Sequence, residues 1–215
     1  MTLTVCFYED EKYRQFFPLT LTRPVYTLRA GIVPLFQRIE RYFPNAKVCL
    51  AARDRIAPFL STTFKHYPVN IIKRGEMDIL FVNGRVRTFG DLPEVVPQTR
   101  VSTIFTNRNE VVAVFFKAAA MKKLPSISTQ MEYEHLIRKE SDAITLLETT
   151  ATLYHYCWEI IADIETEIHA DFEHLKSSFP QTTGSTIHKG AFLVNQSNIL
   201  LGHEVNILPG AVIDA

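Results

Sequence analysis

The stretch LTVCFYEDEKYRQFFPLTLTRPVYTLRAG, residues 3–31, guides the interpretation of the whole chain. Its first residues, Leu3 to Phe7, form a short apolar run that predicts a buried strand. An acidic turn at Glu9–Glu11 follows, and then a loop that runs from Pro18 to Gly31. In an open α/β sheet, ligands bind beyond the carboxyl ends of the strands. This loop is therefore the first candidate for a binding site.

The segments that follow alternate between helical and strand-like patterns. Predicted helices cover 32–43, 56–65, 118–123, 129–139 and 159–175, and predicted strands cover 47–51, 69–72, 102–106 and 111–116. Asn83-Gly84 separates apolar runs at 78–82 and 85–89, which is typical of a β-hairpin. Alternation of this kind predicts an α/β fold, and we place that domain at residues 1–180.

A different pattern begins after a linker at 177–185. Apolar side chains recur at every sixth position, in two series: Ile187, Leu193, Ile199, Val205 and Ala211, and then Leu201, Ile207 and Ile213. A period of six is typical of a hexapeptide β-helix. We predict that such a domain begins at residues 187–215. Because the pattern stops in the middle of a repeat, we expect the sequence to be a piece of a longer protein.

The composition is that of a globular protein, with 47% hydrophobic and 21% charged residues among 215. No apolar run approaches the roughly 18 residues of a membrane span, and the N-terminus lacks the basic region of a signal peptide. Three widely spaced cysteines form no CxxC pair and suit a reducing compartment. We therefore expect a cytoplasmic protein with no membrane partner.

Glycine and charge narrow the class of ligand. No glycine precedes Gly31, so no GxGxxG loop follows the first strand, and the chain contains no GxxxxGK[ST] motif. Residues 1–125 carry 19 Lys and Arg against 10 Asp and Glu, whereas residues 126–215 carry 4 against 13. The basic first part favours a negatively charged ligand, and the lack of a long basic run favours a small phosphorylated molecule over nucleic acid. Alternatively, the positive charge of residues 1–125 and the negative charge of residues 126–215 neutralise each other within the protein.

The loop at 18–31 carries groups that suit a phosphate. Thr20 and Thr22 offer hydroxyls, and Arg23 and Arg29 offer planar cationic forks that match phosphate oxygens. The helix predicted to follow adds unpaired backbone N–H groups. The alternative is that both arginines form ion pairs with the acidic turn at Glu9–Glu11. The sequence leaves both interpretations open.

Four segments carry a resemblance to a known family. They are FFPLTLTRPVYTLRAGIVPL (16–35), ILFVNGRV (79–86), WEIIADIETEIHADF (158–172) and IHKGAFLVNQSNILLGHEVNILPGAVIDA (187–215). Through them the chain resembles sugar nucleotidyltransferases related to the bifunctional N-acetylglucosamine-1-phosphate uridyltransferase/acetyltransferase. The resemblance implies a Rossmann-like mixed-sheet nucleotidyltransferase domain followed by the start of a left-handed β-helix. It also implies a homotrimer for the full-length protein.

The activity implied by the resemblance joins a sugar 1-phosphate to a nucleoside triphosphate and releases pyrophosphate, with Mg²⁺ as cofactor. Pro18-Leu19-Thr20 and Arg23-Pro24 match the family's P-L-T and its following basic-proline pair, but the glycine-rich half of that motif is missing. Arg85 follows Gly84 where the family has a metal-binding Asp. The resulting site prediction has three parts: catalytic Arg23 and Arg29; substrate-binding Thr20, Thr22, Gly31, Asn83, Gly84 and Arg85; and Asp10 as the metal ligand.

Two other functions remain compatible with these departures. The first domain could be degenerate and serve a β-helix acyltransferase, or the chain could be a non-catalytic module that binds nucleotide sugars. The aromatic run around Tyr154 and Trp158 could stack a base or belong to the core. Neither His188 nor His203 is identified as a catalytic residue by its neighbours.

Overall fold

The computed structural model describes residues 3–72, 77–121, 145–178 and 184–215. The chain divides into two compact units, Met1–Glu167 and Ile168–Ala215. In the described part of the first unit, the strands are β1 (Leu3–Tyr8), β2 (Lys47–Leu50), β3 (Asp78–Asn83), β4 (Val86–Thr88), β5 (Thr103–Asn107), β6 (Glu110–Phe116), β7 (Thr145–Glu148) and β8 (Thr152–Leu153). The α-helices among the described residues are α1 (Ala57–Thr63), α2 (Leu92–Val95), α3 (Ala118–Met121), α4 (Cys157–Ala162) and α5 (Ile164–Ser178). Short 3₁₀ helices at Glu11–Phe16, Leu19–Leu21, Val25–Thr27, Leu35–Arg41 and Val96–Gln98 complete the first unit.

A six-stranded mixed sheet with the order β2-β1-β3-β6-β5-β7 forms the centre of the first unit. The neighbours β2, β1 and β3 are parallel, whereas β6 runs antiparallel to both β3 and β5. Along β1 the side chains alternate between two cores, with Val5 and Phe7 in one and Cys6 and Tyr8 in the other. Both faces of the sheet are therefore covered, as an α/β fold requires. The predicted α/β class is confirmed.

The hairpin predicted at Asn83-Gly84 is wrong. β3 pairs with β1 and β6, while β4 leaves the sheet and pairs with β8. All six residues of β3 are buried, because it is a central strand with neighbours on both sides. The Asn-Gly signal marks a turn, but the burial of the flanking strands decides which strands pair.

Other segments differ in extent from their predictions. The helix predicted at 32–43 is a 3₁₀ helix at Leu35–Arg41, and the strand predicted at 69–72 is a single bridge between Val69 and Leu50. The helix predicted at 159–175 is interrupted at Asp163, whose carboxylate binds Arg87 at 2.7 and 2.8 Å. The helix predicted at 129–139 lies outside the described residues.

Residues 184–215, the part of the second unit described after α5, contain four short strands in two parallel pairs. β9 (Thr186–Ile187) pairs with β11 (Asn206–Ile207), and β10 (Phe192–Val194) pairs with β12 (Val212–Asp214). Ile187 lies opposite Ile207, and Leu193 lies opposite Ile213. The two strands of each pair are thus twenty positions apart in the sequence. Among the described residues of the protein, no helix is both long enough and apolar enough to cross a membrane.

Candidate functional site

The predicted loop and several charged groups lie at one edge of the central sheet. Because β1, β2 and β3 are parallel, their carboxyl ends meet at this edge, and the antiparallel β6 begins there. Glu9 directly follows β1, Arg53 lies shortly after β2, Arg85 follows the end of β3, and Glu110 opens β6. The topology therefore gathers these four residues from distant parts of the sequence. It is the edge at which open α/β sheets bind ligands.

Arg85 is the centre of a buried charge cluster at this edge. Its Nε and Nη2 atoms donate to the Oδ1 and Oδ2 atoms of Asp10 at 2.9 and 2.6 Å. Nη2 also donates to Glu110 Oε1 at 3.0 Å, and Nη1 donates to the carbonyl oxygen of Tyr154 at 2.7 Å. The Arg85 side chain is 0% exposed. Arg85 was predicted to bind substrate, but in this position it can influence a ligand only through its partners.

Asn83 and Gly84 support the same cluster. Asn83 Nδ2 donates to Asp10 Oδ2 at 3.0 Å, and Asn83 Oδ1 accepts a hydrogen bond from the Arg85 backbone at 3.0 Å. A Cβ atom on Gly84 would lie 2.7 Å from a ring carbon of Tyr26 and 2.8 Å from the carbonyl oxygen of Tyr8. Both predicted substrate-binding residues are buried, and through these hydrogen bonds Asn83 helps to position Asp10 and Arg85.

Glu110 connects the buried cluster to solvent. Its carboxylate binds Lys12 Nζ and His155 Nε2, both at 2.6 Å, in addition to Arg85. Burial opposes ionisation of Glu110, but the hydrogen bonds from Lys12, His155 and Arg85 outweigh it and lower the pKa of Glu110 to about 2. The carboxylate is therefore ionised over the whole physiological range.

Asp10, the predicted magnesium ligand, does not fit that role in this arrangement. Both of its carboxylate oxygens accept hydrogen bonds from Arg85, and Oδ1 also accepts from the backbone N–H of Lys12 at 3.2 Å. A divalent cation on Asp10 would lie beside a buried guanidinium, and the two positive charges would repel each other. Within the described ranges, no three His, Cys, Asp or Glu side chains form a group that could hold a metal ion.

The predicted phosphate loop presents two exposed arginines. Arg23 and Arg29 are both exposed, and neither side chain forms a hydrogen bond or ion pair with another described residue. Thr22 is exposed as well, and Gly31 is partly exposed. Thr20 is different, because it is 0% exposed and its hydroxyl donates to the carbonyl oxygen of Tyr13 at 2.9 Å. Arg23, Arg29 and Thr22 are therefore available to a ligand, and the side chain of Thr20 is not.

Arg53 anchors this loop, and it is not among the site residues predicted from the sequence. Its Nε donates to Glu9 Oε2 at 2.9 Å, and its Nη2 donates to the carbonyl oxygens of Thr20 and Arg23 at 2.6 and 3.1 Å. The guanidinium carbon lies 4.2 Å from the centre of the Tyr13 ring. Its position in the sequence could have identified it, because Arg53 comes shortly after β2 and the carboxyl end of this parallel strand lies at the same edge of the sheet.

Glu9 is the buried partner of Arg53. Its Oε1 accepts a hydrogen bond from the backbone N–H of Val25 at 2.8 Å, and its side chain is 0% exposed. Burial raises the pKa of Glu9, and although Arg53 and the Val25 N–H oppose this effect, the pKa lies at about 7. The carboxylate therefore changes its ionisation near neutral pH.

The acidic turn does not bind the predicted arginines. Glu9 pairs with Arg53, Asp10 pairs with Arg85, and Glu11 lies 3.7 Å from Arg14. Each acid of the turn thus has a different basic partner from those considered in the sequence analysis. The interpretation of Arg23 and Arg29 as partners of this turn finds no support in the described residues.

The aromatic run divides between core and surface. Tyr154 is buried, and its hydroxyl donates to Asp163 Oδ2 at 2.9 Å. Tyr156 and Trp158 are exposed and stack on each other, with ring centres 4.4 Å apart and an interplanar angle of 6°. A base-stacking role for Trp158 stays a prediction.

In the second unit, His188 Nε2 lies 2.8 Å from Asn206 Oδ1, and His203 is exposed.

The similarity to one solved structure agrees with this fold. HddC from Yersinia pseudotuberculosis is similar in structure, with a TM-score of 0.50 and 11% identity over 78% of this chain and 100% of that chain. An apo-UDP-glucose pyrophosphorylase matches with a TM-score of 0.46 and 8% identity over 80% of this chain and 100% of that chain. A comparison with curated proteins returns no match.

The decisive comparison is with models of protein families. The model described as sugar nucleotidyl transferase matches residues 5–179, which include the loop at 18–31, the Arg85 cluster and all of the central sheet except the first two residues of β1. The match covers well over half of the 215 residues. The chain therefore belongs to the sugar nucleotidyl transferase family, a family of transferases.

Proposed function

We propose that this protein transfers a nucleotidyl group from a nucleoside triphosphate to a sugar 1-phosphate. A phosphate oxygen of the sugar 1-phosphate attacks the α-phosphorus, the bond to the β-phosphate oxygen breaks, and pyrophosphate leaves. The observation that carries the proposal is the pair of exposed arginines, Arg23 and Arg29, on the loop after β1 in a member of this family. Such a transfer needs alignment of the reactants and neutralisation of charge more than covalent help from the protein.

Each side chain of the loop has a role in this proposal. Arg23 and Arg29 bind phosphate oxygens and neutralise the charge that develops on the leaving pyrophosphate, and the Thr22 hydroxyl adds a hydrogen bond. Gly31 lies at the end of the loop and allows close approach of the backbone. Asp10 and Arg85 maintain the shape of this edge of the sheet.

The direct test is release of pyrophosphate. The protein is incubated with Mg²⁺, each of the common nucleoside triphosphates and a panel of sugar 1-phosphates, and pyrophosphate is measured with a coupled assay. We expect one combination to give turnover, and the same triphosphate to raise the melting temperature, because a ligand that binds only the native state stabilises it. If no combination releases pyrophosphate or stabilises the protein, the proposal is wrong.

A second proposal concerns a non-catalytic first unit. It is favoured by Arg85, which lies buried against Asp10 and leaves that carboxylate poorly suited to a cation. In this case nucleotide sugars would bind without turnover, or a β-helix in a longer protein would act as an acyltransferase. Binding of nucleotide sugars without release of pyrophosphate supports the first variant. Release of thiol from acetyl-CoA by the full-length protein supports the second.

We also propose that residues 187–215 begin a left-handed β-helix, after an α/β domain at 1–180, in a relative of the bifunctional uridyltransferase/acetyltransferase. The two parallel strand pairs support the proposal, because a solenoid stacks strands from successive coils in parallel. The full-length protein would then be a homotrimer in the cytoplasm. Light scattering on the full-length protein tests the assembly, and a monomer would contradict it.

A further inference from the structure

Arg53 joins three separate segments at the edge of the central sheet. It lies shortly after β2, yet its guanidinium contacts Glu9 at the end of β1 and two backbone carbonyls in the loop that carries Arg23. We call the set Arg53, Glu9 and the carbonyls of Thr20 and Arg23 the Arg53 clamp. Its two loop acceptors are backbone atoms, so the clamp restrains the course of the chain itself.

The clamp restrains the backbone on both sides of Arg23. Nη2 of Arg53 binds the carbonyl oxygens of residues 20 and 23 at 2.6 and 3.1 Å. Glu9 binds the N–H of Val25 at 2.8 Å, so the chain is also restrained two residues after Arg23. The Thr20 hydroxyl adds a bond to the Tyr13 carbonyl at 2.9 Å. The Arg23 side chain remains exposed between these anchors.

A guanidinium suits this position better than an ammonium group. Its planar fork directs Nε to Glu9 while Nη2 reaches the two carbonyls, and its flat face lies 4.2 Å from the centre of the Tyr13 ring. A lysine offers a single nitrogen without a fixed fork and cannot reproduce this set of contacts. The side chain is 20% exposed and its partner Glu9 is 0% exposed, so the hydrogen bond between these two side chains is largely protected from water.

We propose that Arg53 is a positioning residue that holds the loop so that Arg23 can bind a phosphate group of the substrate. The proposal rests on the proposed function, because it assumes that Arg23 binds phosphate. Arg53 itself is engaged with the protein and acts through Arg23. A purely structural ion pair with Glu9 would stabilise the fold without affecting phosphate affinity, and this difference makes the two roles separable.

The test uses four variants of the 215-residue protein: Arg53→Ala, Arg53→Lys, Arg23→Ala and the double variant Arg53→Ala/Arg23→Ala. Pyrophosphate is the probe, and its affinity is measured by calorimetry at constant ionic strength. We expect Arg53→Ala to weaken pyrophosphate binding about tenfold, the loss typical of one charge-assisted contact. Arg53→Lys should recover only part of the affinity. In the Arg23→Ala background, removal of Arg53 should have no further effect, because residues that act through one another are not additive.

Hydrogen exchange gives a second measurement that needs no ligand. In Arg53→Ala and Arg53→Lys, the amide of Val25 and its neighbours in the loop should exchange faster, while the amides of β3 should not. Arg55→Ala is the matched control, because Arg55 is exposed and lies two residues further along the same segment. It should change neither pyrophosphate affinity nor exchange in the loop.

Failure of this proposal differs from failure of the proposed function. If the unmodified protein binds neither pyrophosphate nor any nucleoside triphosphate, the proposed function is wrong and the positioning role falls with it. If the unmodified protein binds pyrophosphate but both Arg53 variants bind it equally well, the function stands and the positioning role is wrong. Additive losses in the double variant, or unchanged exchange in the loop of both Arg53 variants, also overturn it. Should Arg53→Ala fail to fold, Arg53→Lys alone and in the Arg23→Ala background supplies the same comparison.

Discussion

Arg85 shows how a single buried charge can shape a site without contacting a ligand. Its guanidinium has no exposed surface, and burial alone would lower the pKa of this group, but hydrogen bonds and attraction from Asp10 and Glu110 outweigh the effect and raise it. A paired arginine is tolerated in this position because its charge is balanced.

We predict that Arg85→Met lowers the free energy of unfolding by about 3 kcal/mol or more. Removal of one member of a buried charge cluster leaves the remaining charges without compensation, which is the costly case. Urea denaturation measures the change. Arg100→Met is the control, because Arg100 is exposed and should alter stability by no more than about 0.5 kcal/mol. A loss below about 1 kcal/mol for Arg85→Met would show that the cluster contributes little to stability.

For Arg23 we predict a loss of ligand affinity with little change in stability, the opposite of the effect expected for Arg85. Arg23→Ala should weaken binding of a nucleoside triphosphate by about ten- to a hundredfold, because a charge-assisted hydrogen bond contributes about 1.5–3 kcal/mol. The melting temperature should hardly change, since the exposed side chain has no partner among the described residues. Lys47→Ala removes one positive charge at the opposite edge of the sheet and controls for net charge. A lowered melting temperature with unchanged affinity would contradict the phosphate-binding role.

At the scale of elements, the two-residue turn of the β5–β6 hairpin contains one residue that disfavours its conformation. Arg108 and Asn109 connect the two strands with φ angles of 49° and 64°, both in the left-handed region. Two-residue turns of this kind match the twist of antiparallel strands and favour Asn, Asp and Gly. Asn109 suits the turn, whereas Arg108 adopts a conformation that its side chain disfavours.

We therefore predict that Arg108→Asn stabilises the protein by about 0.5–1 kcal/mol, because Asn tolerates a positive φ better than Arg does. Thermal unfolding of the variant measures the effect. The same exchange at Arg100, which is exposed and outside this turn, should produce no gain. A loss of stability in Arg108→Asn would mean that the arginine side chain has a compensating interaction.

At the scale of the whole molecule, the basic and acidic parts of the sequence do neutralise each other in places. Arg38 and Arg41 bind Glu167 at 2.5 and 3.2 Å, and Arg87 binds Asp163. The alternative explanation of the charge asymmetry is therefore correct for these residues. It does not extend to Arg23 and Arg29, which remain exposed at the candidate site.

The stability of the whole protein should depend on Glu9 between about pH 4.5 and 7. In this range the folded carboxyl group keeps a proton that the unfolded chain has lost, since its pKa is about 7 instead of 4.5. The free energy of unfolding should thus fall as the pH rises through this window, by up to about 3 kcal/mol. Burial raises the pKa of Glu9, and the nearby charge of Asp10 raises it further. Arg53 and the Val25 N–H lower it.

Glu9→Gln tests this dependence, because glutamine does not titrate. The variant should lose the decline in stability between pH 4.5 and 7, as measured by urea denaturation at several pH values. Glu94→Gln, at an exposed position, should retain it. An unchanged slope in Glu9→Gln would refute the assignment to Glu9.

The local sequence pattern was sufficient for β1, β2, β5 and β6 and for the α/β class. Runs of apolar residues bounded by polar turns identify strands, since burial of one or both faces is a local requirement. The motif in 18–31 likewise indicated the loop and its two arginines. Pairing of β3 could not be predicted from Asn83-Gly84, because the choice of partner depends on strands that are distant in the sequence.

The sequence by itself determined the class of the fold, the position of the loop and the presence of Arg23 and Arg29. Only the tertiary structure decided which charges pair. Arg53 reaches Glu9 across 44 positions, and Arg85 reaches Asp10 across 75, because parallel strands bring their carboxyl ends to one edge. Local patterns cannot rank such partners, since attraction between charges depends on distance and burial in three dimensions. The same pairing holds Arg85 in the interior, whereas Arg23 is exposed.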